Sequence, residues 1–175
     1  SGKISGYLHK ISELHWGLMV AVYSLSHAPA ILLLKLPLSP QANILLLAFL
    51  VLVVQSSDVL QYIWGKLFGR HKLAPSVSPS KTIEGLIGGI ATACVIGVVF
   101  SWLTPFNRLE ALGISFMVAL MGFFGGFVLS AVKRDRGVKD WGSVIPGHGG
   151  ILDRVDSLVF AAPLFFHIVR YWWSV

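Results

Sequence analysis

SAVKRDRGVKDWGSVIPGHGGILDRVDS, residues 130–157, sets ten ionisable side chains between two strongly apolar segments: Lys133, Arg134, Asp135, Arg136, Lys139, Asp140, His148, Asp153, Arg154 and Asp156. The chain around it is 55% hydrophobic and only 13% charged, with a mean hydropathy of +0.74. At 175 residues that balance belongs to a membrane protein rather than to a water-soluble domain. The polar stretch therefore reads as a connection between membrane helices, and the fold as an all-α polytopic bundle.

Working outward, a crossing of roughly 30 Å of hydrocarbon takes about 20 apolar residues whose backbone groups are satisfied within the segment. Five stretches qualify: Trp16–Leu34, Ala42–Trp64, Glu84–Leu103, Leu109–Val132 and Ile151–Trp173. His27 and Pro29 predict a kink or break in the first. Residues 1–15 read as an amphipathic lead-in without the pattern of a signal peptide. The whole chain is expected to form one integral-membrane domain.

The connections alternate in charge. Lys3, Lys10, Lys66, Arg70, Lys72, Lys81, Lys133, Arg134, Arg136 and Lys139 fall on one side, and Lys35, Arg108 and Arg170 on the other. The positive-inside rule makes the first side cytoplasmic, as expected of a bacterial inner-membrane protein, and Tyr171, Trp172 and Trp173 suit the opposite interface. Gly85, Gly89, Ala93 and Gly97, and Gly122 with Gly126, allow helices to approach closely. Packing within one bundle is the plainer reading, and a homodimer face the alternative.

A net charge of +6 without a basic helix or an aromatic-studded strand excludes nucleic acid and points to membrane lipid heads or a phosphorylated substrate. The single cysteine, Cys94, excludes an intramolecular disulfide and a cysteine-based metal site.

Of eight acidic residues, Asp58, Glu84, Asp135, Asp140, Asp153 and Asp156 lie in or beside the positive connections. A charge in the membrane costs at least about 2.5 kcal/mol, so Asp58, inside the second span, must pair, bind an ion or face water. Asp153 and Asp156 are expected to share a face at the start of the last helix, where its N-terminus favours negative charge. Before them, the GHGG turn of residues 147–150 can offer backbone N–H groups to phosphate oxygens. Carboxylates beside an anion-binding turn conflict unless a hard divalent cation joins the two, as Mg²⁺ does. Lys133, Arg134, Arg136, Lys139 and Arg154 can clamp a polyphosphate. Taken singly each reads as a topology-setting lysine or arginine that snorkels to the headgroups. Upstream, Ser78, Lys81, Thr82 and Glu84 read as a helix cap with a phosphate-binding lysine, and the spacing is not that of a P-loop.

The run from Ser130 through Lys133-Arg134, Lys139-Asp140, His148-Gly149-Gly150 and Asp153-Arg154 to Asp156 resembles the C-terminal signature of the CDP-diacylglycerol synthases, or phosphatidate cytidylyltransferases. Asp58, Tyr62, Gly65, Phe68, Gly69 and the SPSKTIEG run resemble that family's earlier cytoplasmic motif, so the likeness covers roughly residues 55–157. Gln61 departs from the family's usual alanine. Members are commonly longer at the N-terminus, so the chain is expected to be a catalytic C-terminal part or a compact relative.

The resemblance implies that phosphatidate attacks the α-phosphorus of CTP, giving CDP-diacylglycerol and pyrophosphate with Mg²⁺. It implies catalytic roles for Asp140, Asp153, Asp156, Lys139 and Arg154. Metal binding falls to Asp140, Asp153 and Asp156, with Asp58 at a second cation site. Substrate binding falls to Ser78, Lys81, Thr82, Lys133, Arg134, His148, Gly149 and Gly150, with His148 as a hydrogen-bond donor. The alternatives are a CTP-dependent enzyme acting on an ether-lipid or isoprenoid phosphate, a polyprenol kinase, and a non-enzymatic membrane transport or scaffold protein.

Overall fold

The computed structural model describes residues 6–37, 41–142 and 150–174. The first helical segment runs from Tyr7 to Leu33 as α1 (Tyr7–Leu18), a π-helical stretch at Met19–Ser24, α2 (Leu25–Ala30) and a 3₁₀ turn at Ile31–Leu33. The part of the expected lead-in that is described is helical from Tyr7 onward, continuous with the first span, and carries exposed Tyr7, Leu8, Ile11 and Leu14. The expected break at Pro29 takes the form of altered winding. Proline cannot donate to the carbonyl four residues back, at Leu25, and the wide π-helical stretch lies immediately before that turn. The Asn43 side chain then donates to the carbonyls of Leu32 (3.0 Å) and Leu34 (2.8 Å), satisfying groups that the helix end leaves open.

After this come α3 (Ala42–Phe68), β1 (Lys72–Ala74), β2 (Ser78–Thr82), α4 (Ile83–Val99), α5 (Arg108–Asp135), α6 (Leu152–Val155) and α7 (Leu158–Trp173). Asn107 starts α5 with a capping box, accepting from the Leu109 and Glu110 amides while Glu110 accepts from its own at 2.8 Å. Gly137, at φ 67°, ends it: the amides of Gly137 and Val138 donate back to the carbonyls of Arg134 and Lys133, closing the helix and turning the chain toward Trp141.

Among the described residues three segments are long and apolar enough to cross a membrane: Tyr7–Leu33, Ala42–Phe68 and Arg108–Asp135. The other two expected spans coincide with shorter apolar helices, α4 and α7. The 17 residues of α4 rise about 26 Å, because Thr82 caps it late and a 3₁₀ turn at Ser101–Leu103 follows it. The last stretch divides at Asp156 and Ser157. There the Asp156 carboxylate accepts the Ser157 amide at 2.8 Å, an alternative to the helical ladder.

The core is aromatic at its centre, with fully buried Phe49 and Phe165 stacked at 6.2 Å and Phe106 edge-on to Phe49 at 5.8 Å. The glycine spacing serves packing within the chain: a Cβ on Gly85 would lie 2.6 Å from the Gln61 carbonyl, and one on Gly89 2.7 Å from the Gln61 amide. An all-α expectation misses the antiparallel β1–β2 hairpin, paired at Lys72 with Thr82 and at Ala74 with Ser78.

Candidate functional site

A cavity of about 190 Å³ opens where the hairpin meets the ends of α3 and α5 and the α6–α7 joint. It is lined by Asp58, Gln61 and Tyr62 of α3, Ser80, Lys81 and Thr82 of β2, Gly126 and Ser130 of α5, and Asp156. Each element brings its residue for a local reason. Thr82 ends the strand by capping α4, accepting the Gly85 amide at 3.1 Å, and Lys81 just before it lines the cavity. Glycines at 125 and 126 let the joint sit against α5: a Cβ on Gly125 would come within 2.6 Å of the Asp156 carbonyl. A Cβ on Gly126 would touch both Lys81 Nζ (3.5 Å) and Asp156 Oδ1 (3.8 Å), so the two opposite charges lie over the same bare stretch of helix.

Lys81 Nζ also stands 4.6 Å from the Phe123 ring centroid. Burial pushes its pKa below the ordinary lysine value, and the nearby carboxylates of Asp58 and Asp156 oppose that shift. Burial raises the Asp156 carboxyl, with Asp58 adding to the rise, while Lys133 and Lys81 pull it back. Gln61 holds its place in the wall by donating from Nε2 to Ser57 Oγ at 2.9 Å.

Asp153 lies elsewhere. Its Oδ1 pairs with Lys133 Nζ at 2.8 Å, and its Oδ2 accepts from the amides of Trp141 (2.8 Å) and Gly150 (2.9 Å). Burial would raise its pKa, but the Lys133 hydrogen bond and the two amides prevail and hold it below the usual carboxylate value. Asp153 and Asp156 stand one helical turn apart, as expected, but their carboxylates serve different neighbours: Asp153 is tied to Lys133 and two amides, and Asp156 lines the cavity.

The other expected residues divide similarly. Lys133, expected at a phosphate, is buried against Asp153. Arg134 donates from Nε to the Val77 carbonyl (3.3 Å) and from Nη1 to that of Val138 (3.4 Å), steadying the hairpin turn. Lys139, Asp140 and Arg154 are exposed and do not line the cavity, and the Arg154 carbonyl accepts from Gln55 at 3.4 Å. Ser78 belongs to the strand pairing and Gly150 to the Asp153 contacts, whereas Thr82 caps α4 as expected and also lines the cavity. His148 and Gly149 lie outside the described residues. Among the described residues no three of His, Cys, Asp and Glu gather to hold a metal, so the Asp140, Asp153 and Asp156 triad is not assembled. Ser80 and Gly126 were not singled out for the site. Ser80 sits inside SPSKT, next to the expected Lys81, and that adjacency is the signal that finds it.

Residues 3–172 match the cytidylyltransferase family, and the chain belongs to it. It is 47% identical over 171 residues, 97% of its length, to the uncharacterized protein YnbB of Escherichia coli K12. To the phosphatidate cytidylyltransferase of Staphylococcus aureus (strain COL) it is 44% identical over 115 residues, 65% of its length, and to that of Staphylococcus haemolyticus 45% over 115. The chain spans about half the length of the curated relatives it matches, 57% of the first and 44% of the others.

Proposed function

We propose that this chain carries the group-transfer centre of a CTP-dependent phosphatidate cytidylyltransferase, with the cavity of Asp58, Lys81 and Asp156 as its reacting end. The observation that carries the reading is the meeting of two carboxylates and one lysine in a single cavity at the ends of apolar helices, within a chain of this family. The relatives named for phosphatidate support the lipid, and the family supports the nucleotide.

At about 190 Å³ the cavity suits phosphate groups rather than a whole nucleotide, so ribose and base project toward solvent. A phosphate oxygen of the lipid attacks the α-phosphorus of CTP, the bond to the β-phosphate bridge breaks, and pyrophosphate leaves. The nucleophile is already anionic, so alignment and charge neutralisation carry the rate, without a strong base. Lys81 meets the phosphate oxygens, and Ser80 and Ser130 offer hydroxyls beside them. Tyr62, largely exposed on α3, marks the side from which a lipid head enters.

Two carboxylates against one lysine leave the cavity short of positive charge, which fits a divalent cation that takes its remaining ligands from phosphate and water. Asp58 and Asp156 would hold it. When bound, Mg²⁺ supplies charge neutralisation at the transferring phosphate. We place the cavity on the cytoplasmic face of an inner membrane from the lysine and arginine distribution, and count α4 and α7 with their flanking turns as two further crossings.

The test is CTP incorporation by the purified chain with phosphatidate, with and without EDTA. EDTA-sensitive CDP-diacylglycerol is expected. Product formed only from an ether-lipid or isoprenoid phosphate overturns the lipid, and no nucleotide transfer to any lipid phosphate overturns the enzyme.

A further inference from the structure

The hairpin that presents Lys81 has strands of three and five residues, too short to be stable alone. Three contacts from outside it decide its shape. Thr82 caps α4, and Arg134 holds the Val77 carbonyl at the turn. Glu84, in the first turn of α4, closes the base. Its Oε2 accepts the amides of Arg70 (3.1 Å) and His71 (3.2 Å), and its Oε1 lies 2.6 Å from His71 Nδ1. The Ile83 amide adds a bond to the His71 carbonyl at 3.0 Å. Arg70 and His71 are where the chain leaves α3 for β1, and Lys81–Thr82 is where it leaves β2 for α4. Glu84 therefore joins the two ends of the segment that carries Lys81, while lining no part of the cavity itself.

We propose that Glu84, clasping Arg70 and His71, is a positioning residue that holds Lys81 between the Phe123 ring and the carboxylates of Asp58 and Asp156. The proposal rests on the group-transfer reading of the cavity for its consequence, but not for its geometry. A plain stabilising role predicts something different. His71 is 74% exposed and Glu84 28%, and exposed pairs contribute little to global stability. Loss of the clasp should free the hairpin while the bundle, whose core lies among the helices, stays folded.

Lys81 acylation by a water-soluble amine reagent, read by peptide mass spectrometry on the full chain in detergent, measures placement without turnover. Glu84→Ala is expected to raise the Lys81 acylation rate about tenfold, as local opening exposes the amine. The same change should lower kcat for CTP incorporation by about a hundredfold with a smaller change in KM. Glu84→Gln keeps an acceptor for the two amides and should restore most of both. In a Lys81→Ala background, Glu84→Ala should cost nothing further, since the effect runs through Lys81.

Unchanged acylation in Glu84→Ala, or fully additive losses in the double variant, overturns the proposal. Should Glu84→Ala fail to fold, His71→Ala carries the same test, with about a threefold rise in acylation expected; no rise overturns it. A chain whose Lys81 responds in this way but that transfers no CMP retains the clasp and refutes the proposed activity.

Discussion

Around Asp153 every carboxylate oxygen is engaged: Lys133 on one, two backbone amides on the other, all buried where α5 turns toward α6. Around Asp156, one helical turn later, the carboxylate accepts the adjacent Ser157 amide and faces a cavity shared with Asp58 and Lys81. The first environment lowers the carboxyl pKa and the second raises it. A carboxylate saturated by its own chain has no room for a ligand, whereas one that faces a cavity does. The same division separates the two lysines: Lys133 is paired in the knot, and Lys81 is poised over an open volume.

The largest expected difference is in rate. Asp156→Asn should lower CMP transfer on the order of a thousandfold, as loss of a key charge at a transferring phosphate does, with little change in melting temperature. CTP incorporation and a thermal melt on one preparation check it; an Asp156→Asn protein that retains its rate would remove the cavity from the mechanism.

Next is a loss of stability with the opposite signature. Asp153→Asn leaves Lys133, whose side chain is only 11% exposed, without its counter-charge, at about 3 kcal/mol. Denaturant titration should show the loss, and Lys133→Met added to Asp153→Asn should recover part of it. A stable Asp153→Asn protein without activity would return Asp153 to the catalytic set.

Adjacent glycines give a smaller contrast. Gly125→Ala drives a Cβ to 2.6 Å from the Asp156 carbonyl and should cost about 2 kcal/mol. Gly126→Ala makes only ordinary contacts, at 3.5 and 3.8 Å, and should stay within about 0.5 kcal/mol while narrowing the cavity and raising KM.

The smallest effect is in pH dependence, measured by chemical denaturation in EDTA. Asp153, held low, contributes stability that is present above the ordinary carboxylate pKa and is lost as pH falls through its folded value. Asp156, held high, contributes stability that is present below that ordinary pKa and is lost as pH rises through its folded value. Replacing each with asparagine should flatten opposite limbs of the pH profile, and a shared limb would erase the distinction between them.

Much of this was legible from local pattern. Asp58 stood out because an acid in an apolar helix needs a reason, and Lys81 because it sits beside a capping threonine. Both line the cavity. Asp153 keeps its expected place one turn before Asp156, but its carboxylate is taken up by Lys133 and the amides of Trp141 and Gly150, partners that spacing along a helix does not reveal. Lys133 and Arg134 read as phosphate ligands by charge alone, whereas their partners, Asp153 and the Val77 carbonyl, are distant in sequence. The hairpin escaped notice because its strands are short and include Pro79, and it is fixed by Glu84 and Arg134 from outside.

Hydropathy, the bias of lysine and arginine to alternate connections and the spacing of the polar motifs are one-dimensional properties, and they suffice for a membrane-embedded helical chain of this family. Which carboxylate faces a cavity and which is tied off depends on where α3, α5 and the α6–α7 joint come together. That choice follows from the competition between a buried charge's need for a partner and the partners that packing brings within reach. No window of the sequence contains both sides of that competition, so it is resolved in three dimensions.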